Sequence, residues 1–244
     1  MTGQITLTGM VLSSMPVGEY DRRIVLLTKE RGKVSAFARG ARRPKSSLVA
    51  ATNPFVSGDF EAFEGRDSYT IHSASIKNYF AELTSDISLV WYGYYFLEIA
   101  DYFSLENNDE TQRLILLYQA FRALLMEQFD PEFVRSVYEF KTLVINGEYP
   151  DVFRCGGCGR EDGLEYISIE GRHVICNDCH SRLNGHPISA SVLYALQYIA
   201  ATPPAKLFSF KMSEAAAEEF GSLVREYYKS FVKREFKSEE FLDL

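Results

Sequence analysis

The sequence predicts an α+β protein in which a small five-stranded barrel is packed on an all-α domain that contains a four-cysteine module. Three observations support this prediction. Short strands broken by turns fill the chain up to about residue 78, apolar residues then recur with the helical period, and the four cysteines form two C-x2-C pairs. We therefore expect a barrel domain over residues 1–79 and a helical domain over residues 80–244, with the cysteine module at residues 150–185.

The barrel prediction depends on five short apolar segments, at residues 5–12, 24–28, 34–38, 55–63 and 69–75. Lys29 to Gly32 and Glu64 to Asp67 each contain a glycine, which can take the left-handed position that a hairpin turn requires. Five short strands with a long loop between the third and the fourth suit an OB-fold barrel, and an SH3-like barrel remains an alternative.

The helical prediction depends on apolar stripes with a period of 3.6 residues. Helices are expected at about 80–105, which is rich in aromatic residues, and at 109–128, 131–147, 189–202 and 213–236. Asp109 and Gln112 stand at capping-box spacing, and Pro131 suits the first turn of a helix. Because residues 76–82 are not rich in Pro, Gly or Ser, we expect the two parts to pack together.

Charge is distributed unevenly over the 244 residues. The net charge is −7, but residues 1–80 contain 11 Lys and Arg against 7 Asp and Glu, whereas the other residues contain 15 against 26. No stretch approaches the roughly 18 uninterrupted apolar residues of a membrane helix, and no export signal is recognisable at the N-terminus. We therefore expect a soluble, cytoplasmic protein with no membrane partner.

A basic segment near the N-terminus is the candidate binding site for nucleic acid. Single strands are usually bound by a positive groove that follows the phosphates and by aromatic faces on which bases stack. Tyr20, Phe37, Phe55, Phe60 and Tyr69 are candidate stacking residues, although aromatic residues of a small barrel more often belong to its core. The candidate DNA-binding cations lie within 24 residues that include one acidic residue: Arg22, Arg23, Lys29, Arg31, Lys33, Arg39, Arg42, Arg43 and Lys45.

The four cysteines form the candidate metal site. Cys155 and Cys158 are separated from Cys176 and Cys179 by 17 residues, which is typical of a zinc site. Four thiolates leave no position for water, so the zinc would be structural. Two disulfides or a pair of redox-active thiols are the alternatives. Two nearby histidines, His173 and His180, could replace a cysteine ligand.

Residues Pro16 to Lys33, followed by the loop Ala38 to Ser47, strongly resemble the RecO family of bacterial recombination-repair mediators. The later plan of helices interrupted by a cysteine-rich module also resembles that family. The resemblance implies an N-terminal OB-fold, a helical C-terminal domain and an ATP-independent protein that binds single- and double-stranded DNA and anneals complementary strands. It further implies action with RecR and with the acidic C-terminal tail of single-strand-binding protein, SSB, in loading RecA. Some family members lack the cysteines, so zinc is not essential to the shared activity.

Three classes of function follow. The leading hypothesis is a non-enzymatic DNA repair and recombination mediator whose cations at residues 22–45 screen the repulsion between phosphates. The alternative is an adaptor whose helical domain binds protein partners without DNA binding of its own. An enzyme is not expected, because the sequence contains no P-loop, no His-Glu-x-x-His and no Gly-x-Ser-x-Gly motif.

Overall fold

The structure is a computed structural model that describes residues 3–66 and 68–242. Asp67, which the sequence places in a hairpin turn, lies outside the described residues. The chain forms two compact units, one of residues 1–125 with 236–244 and the other of residues 126–235. Strands give way to helices after Asn78, but the first unit also contains the helices that follow the barrel. None of the described helices has the length and apolar character needed to cross a membrane.

The N-terminal part is a closed five-stranded barrel, as predicted. The strands are β1 (Gln4–Val17), β2 (Asp21–Thr28), β3 (Gly32–Ala38), β4 (Ser57–Glu64) and β5 (Tyr69–Asn78), in the order β1-β2-β3-β5-β4. Within the described part of the barrel, β3 and β5 pair in parallel and the other pairs are antiparallel. A short helix, α1 (Leu48–Ala51), lies between β3 and β4. Alternate apolar side chains such as Leu7, Leu26 and Phe60 are completely buried in the barrel core, which is why period-2 patterning predicts these strands.

The first strand is longer than predicted. It continues past Leu12 through Ser13 and Ser14 to Val17, and its pairing with β2 shifts by one residue between Val11 and Ser13. Such a bulge breaks the alternation of buried and exposed residues and bends the strand. The bend lets β1 pair with β4 through its first half and with β2 through its second half.

Two helices replace the single one predicted at residues 80–105. They are α2 (Ala81–Ser85) and α3 (Ile87–Phe103), and the next helix, α4 (Thr111–Leu124), is shorter than the predicted 109–128. The helix breaks at Asp86, whose extended backbone and carboxylate cap α3 by accepting hydrogen bonds from the N–H groups of Ser88 and Leu89. The apolar pattern continues through this cap, so periodicity alone does not show the break.

The barrel packs on α3 and α4 through Phe55. This residue has a left-handed backbone with φ of 74°, and its ring is 4.9 Å from that of Tyr94 and 5.4 Å from that of Phe121. Gly93 on α3 makes room for the ring, because a Cβ there would lie 2.6 Å from a ring carbon of Phe55. Phe55 therefore belongs to the interior of the first unit.

The β2–β3 hairpin is fixed to the loop between α3 and α4. The N–H of Lys33 donates to the carbonyl of Leu105 at 3.0 Å, and that of Asn107 donates to the carbonyl of Arg31 at 2.9 Å. Buried Glu110 fixes the loop in turn, because its carboxylate accepts from the Leu105 N–H and from the Arg113 guanidinium. This set of contacts is called the hairpin clamp below.

The second unit contains three longer helices, α5 (Pro131–Ile145), α7 (Ala190–Ala201) and α8 (Glu214–Phe231). A buried ion pair between Arg135 and Glu139, 2.8 Å long, lies on α5. α8 ends at Phe231, five residues before the predicted end. Phe236 instead belongs to the first unit, where its ring packs edge-on against Tyr95 of α3.

We predict that Gly32→Ala strongly destabilises the first unit. Gly32 has φ of 63°, and an added Cβ would lie 2.4 Å from the carbonyl oxygen of Leu105 in the hairpin clamp. The matched control is Gly18→Ala, where φ is 57° but no atom lies within 4 Å of the added Cβ. Urea unfolding should show a loss of about 1 kcal/mol for Gly18→Ala and about 3 kcal/mol or more for Gly32→Ala. Equal losses would contradict the hairpin clamp.

We also predict a pH-dependent contribution from Lys141 of α5. Its buried ammonium donates to the carbonyls of Ile199 and Ala200 at the end of α7, and burial lowers the pKa of Lys141 to about 8. Between this value and the ordinary 10.5, the unfolded chain binds more protons, so stability should rise with pH. Urea unfolding should show that, from pH 8 to 10, the free energy of unfolding of wild type rises relative to that of Lys141→Met by up to ~1 kcal/mol per pH unit. A constant difference over that range would contradict the prediction.

Candidate nucleic-acid interface and metal site

The barrel separates most of the nine predicted cations into two groups. Because β2 runs from one end of the barrel to the other, its two ends lie about 20 Å apart at about 3.3 Å per residue. Three cations, here called the hairpin group, lie at the β2–β3 hairpin: Lys29, Arg31 and Lys33. Arg23 lies on β2 and belongs to neither group. The other five, here called the loop-end group, lie where the β1–β2 turn meets the loop after β3: Arg22, Arg39, Arg42, Arg43 and Lys45.

Main-chain contacts fix the loop of the loop-end group. The N–H of Gly40 donates to the Asp21 carboxylate at 2.7 Å, and that of Arg42 donates to the carbonyl of Tyr20 at 2.9 Å. The guanidinium of Arg43 lies over the ring of Tyr20, 5.3 Å from its centre. The loop is therefore folded against the β1–β2 turn, and its cations are brought together on one end of the barrel.

The cations of the loop-end group differ in how they are used within the fold. Arg22 is half-buried and donates to three oxygens of residues 49–53, so it fixes α1 and the following turn to β2. Arg42 is exposed, but one of its guanidinium nitrogens donates to the carbonyl of Gly18. Arg39 and Lys45 are exposed and make no hydrogen bond or ion pair with any residue in 3–66 or 68–242. These two cations are the most available to a ligand.

The outer face of β1, β2 and β3 adjoins the loop-end group. Arg23 is exposed there, and its Nε donates to the hydroxyl of Ser35 at 2.9 Å. Phe37 lies opposite Arg23 on β3 and is half-buried, whereas Met15 lies opposite it on β1 and is 55% exposed. The sequence analysis did not single out Met15, and the bulge in β1 explains why its side chain could not be assigned to this face.

The candidate stacking residues also separate into two classes. Phe55 and Phe60 are buried, with exposures of 1% and 0%, and cannot stack on a ligand. Tyr20 is exposed, and Phe37 and Tyr69 are half-buried. Burial is the main cause that raises the pKa of Tyr69, while a hydrogen bond with Arg31 acts in the opposite direction.

The hairpin group is largely committed to the fold. The ammonium of Lys33 donates to the main-chain carbonyl of Asp101 at 2.6 Å and lies 3.4 Å from its carboxylate. Arg31 is half-buried, and its main-chain N–H donates to the hydroxyl of Thr28 at 3.1 Å. Lys29 is exposed and lies near Lys77 of β5. The sequence analysis missed Lys77 as a neighbour because 47 residues separate the two in the chain.

The four cysteines converge as predicted. Cys155 ends β6 (Asp151–Cys155), Cys176 ends β8 (His173–Cys176) and Cys179 lies in α6 (Asn177–His180), while Cys158 follows in the turn after β6. Their sulfur atoms all lie within 4.8 Å of one another, and those of Cys158 and Cys176 are 3.7 Å apart. A tetrahedral ion bound at about 2.3 Å requires sulfur atoms separated by about 3.8 Å, so the cluster can hold one metal ion.

The protonation of the cluster also fits a cation. Burial raises the pKa of Cys155, but N–H groups of Cys176, Gly157 and Cys158 outweigh it and lower the pKa to about 6. Burial and the neighbouring cysteines raise the pKa of Cys179 to about 12. The four sulfurs therefore cannot all be thiolates at neutral pH unless a positive ion compensates their charge.

Two glycines of the first pair allow the close approach of the two halves of the module. A Cβ at Gly156 would lie 1.8 Å from the ring of His173, and one at Gly157 would lie 2.8 Å from the sulfur of Cys179. The predicted hairpin is present, with β7 (Leu164–Ser168) antiparallel to β8. His180 stacks on Tyr166 with ring centres 3.7 Å apart, which accounts for its position beside the cluster.

Comparisons with known proteins agree with this architecture. The family model described as Recombination protein O N terminal matches residues 1–80, and that described as Recombination protein O C terminal matches residues 84–240. DNA repair protein RecO of Acetivibrio thermocellus is 31% identical over 238 residues, which cover 96% of this chain and 94% of that protein. The protein of the same name from Bacillus subtilis is 26% identical, with coverage of 96% and 92%. The chain therefore belongs to the RecO family of DNA repair proteins.

Proposed function

We propose that the protein is a non-enzymatic mediator of DNA repair and homologous recombination that binds DNA through the loop-end group and the adjoining face of the barrel. The observation that supports this proposal best is the concentration of exposed cations beside half-exposed apolar side chains. Arg39 and Lys45 can pair with phosphates without losing a contact within the described chain. Tyr20, Phe37 and Met15 offer surfaces on which bases can lie.

The same surface accounts for strand annealing. Two complementary strands repel each other through their phosphates, and a fixed cluster of cations reduces that repulsion when both strands approach the barrel. The guanidinium groups contact phosphates and leave the base edges free to pair. Binding of this kind depends steeply on salt and little on sequence, and it can accept single- and double-stranded DNA.

The partners that we propose follow from membership of the family. The protein would act with RecR, engage the acidic C-terminal tail of SSB, and help to load RecA on DNA coated with SSB. An acidic tail also suits a protein with exposed cations, because opposite charges steer association. Zinc is the metal that we propose for the cysteine cluster, with a structural role, since four sulfur ligands close its coordination shell.

We predict that charge reversal in the loop-end group weakens DNA binding. The variant is Arg39→Glu with Lys45→Glu, whose side chains have no described partner to lose. At 50 mM salt, affinity for a single-stranded oligonucleotide should fall at least tenfold, and the slope of log affinity against log salt should fall by about 1.4, because each phosphate contact contributes about 0.7.

The control for this prediction is Lys206→Glu with Lys211→Glu, which changes the net charge equally at exposed positions of the second unit. Fluorescence anisotropy should show nearly unchanged binding for the control. Equal losses in both variants would mean that net charge alone controls affinity. If wild type ignores oligonucleotides even in dilute buffer, the adaptor hypothesis replaces the mediator.

We predict that the purified protein contains one zinc ion per chain. Cys176→Ser should lower the zinc content, because it removes one of the four sulfur ligands, and should lower the unfolding temperature of the second unit. DNA binding should persist in this variant, since the loop-end group lies in the first unit. The measurement is metal analysis with thermal unfolding. A metal-free wild type whose four thiols all react freely with a thiol reagent would contradict the prediction.

A further inference from the structure

A small pocket lies between the barrel and α4, apart from the loop-end group. Its volume is about 260 Å³, and all the residues that line it belong to the first unit. Met10 of β1 and Leu114 and Ile115 of α4 provide an apolar lining, to which Tyr118 adds an aromatic ring. A pocket of this size takes one ring system with a short substituent and is smaller than a typical drug-binding site of about 300–1,000 Å³.

Two cations also line this pocket. Lys29 follows β2, Lys77 lies near the end of β5, and both are exposed. Asp59 of β4 fixes Lys77, accepting a hydrogen bond from its ammonium at 2.8 Å and another from the hydroxyl of Thr8 at 2.8 Å. These bonds lower the pKa of Asp59, so its carboxylate stays charged and keeps the ammonium in place. Asp59 itself is not part of the lining, which therefore presents positive charge.

The combination of an apolar lining and two cations selects a ligand with an apolar planar body and an anionic group. We propose that the pocket binds one unstacked nucleotide of a DNA strand, with the base against the half-buried side chains of Ile115 and Tyr118 and the phosphate between Lys29 and Lys77. The hydroxyl of Thr8 and the amide of Gln119 also line the pocket. The amide can donate to or accept from a base edge, whereas the hydroxyl, which donates to Asp59, can only accept. This inference rests on the proposed function and adds a second contact site on the same barrel.

The position of Lys29 favours a nucleotide over the terminus of a protein. Lys29 follows β2 directly, and Arg23 on the same strand belongs to the proposed DNA surface, about 20 Å away at 3.3 Å per residue. A stacked strand rises about 3.4 Å per phosphate, so this distance corresponds to at most about six phosphates. A site of this length lies within the roughly 4–16 nucleotides that an OB-fold binds. One strand can thus extend from the loop-end group to the pocket.

The test is binding of thymidine 5′-monophosphate to the full chain at low salt, measured by calorimetry. Lys77→Gln and Ile115→Trp are the pocket variants, because the first removes a cation and the second fills the pocket from a half-buried position. Lys206→Gln is the control for the loss of a lysine elsewhere, and thermal unfolding checks the fold of each variant. Thymidine, inorganic phosphate and N-acetylphenylalanine serve as comparison probes.

We expect the monophosphate to bind more tightly than thymidine or phosphate alone. Both pocket variants should weaken this binding about tenfold or more, while Lys206→Gln and the Arg39→Glu/Lys45→Glu variant retain it. This inference is wrong, and the proposed function stands, if oligonucleotides bind to wild type but the monophosphate does not. The same holds if the monophosphate binds to both pocket variants as tightly as to wild type. Binding of N-acetylphenylalanine in place of the monophosphate would assign the pocket to a protein terminus. If wild type binds no oligonucleotide, both proposals fail.

Discussion

The hairpin clamp is the contact on which the rest of the first unit depends. Lys33 and Arg31 form main-chain hydrogen bonds with the loop between α3 and α4, and buried Glu110 holds that loop in shape. Because one end of the barrel is fixed in this way, the cations at that end serve mainly the fold. At the opposite end Arg22 is half-buried, and the other four cations of the loop-end group are exposed. The same arrangement places α4 beside the barrel and so creates the pocket that Lys29 and Lys77 line.

The sequence predicts the barrel and the cysteine cluster well, because both depend on local patterns. Alternation of apolar residues identifies strands, since their side chains must alternate between core and solvent. The spacing of Cys155, Cys158, Cys176 and Cys179 predicts convergence because two short turns and one hairpin suffice to bring the sulfurs together. In both cases the relevant contacts are made by neighbouring segments, so no distant part of the fold has to be known.

Other features of the structure are decided by contacts between residues that are distant in sequence. Nine cations that are close in sequence are separated by the length of β2, and only their tertiary partners reveal that Arg22 and Lys33 are structural. The helix breaks at Asp86, although the apolar pattern on either side looks continuous. The cap affects a single turn, which is too short to disturb that pattern. Lys77 is the converse case, because it is distant from Lys29 in sequence but close to it in the structure. The two become neighbours only when β5 closes the barrel.

The way in which the basic loop is held explains how it can remain available to a ligand. Four cations between residues 39 and 45 repel one another, and pairing each with a carboxylate would have been the simplest way to fix them. The loop is instead fixed mainly through its backbone, by the N–H groups of Gly40 and Arg42. This arrangement leaves the side chains of Arg39 and Lys45 without an ion-pair partner among the described residues. Under the proposed function, an anionic polymer would relieve that repulsion on binding and both surfaces would release counterions, so the electrostatics of the free loop would become part of the driving force.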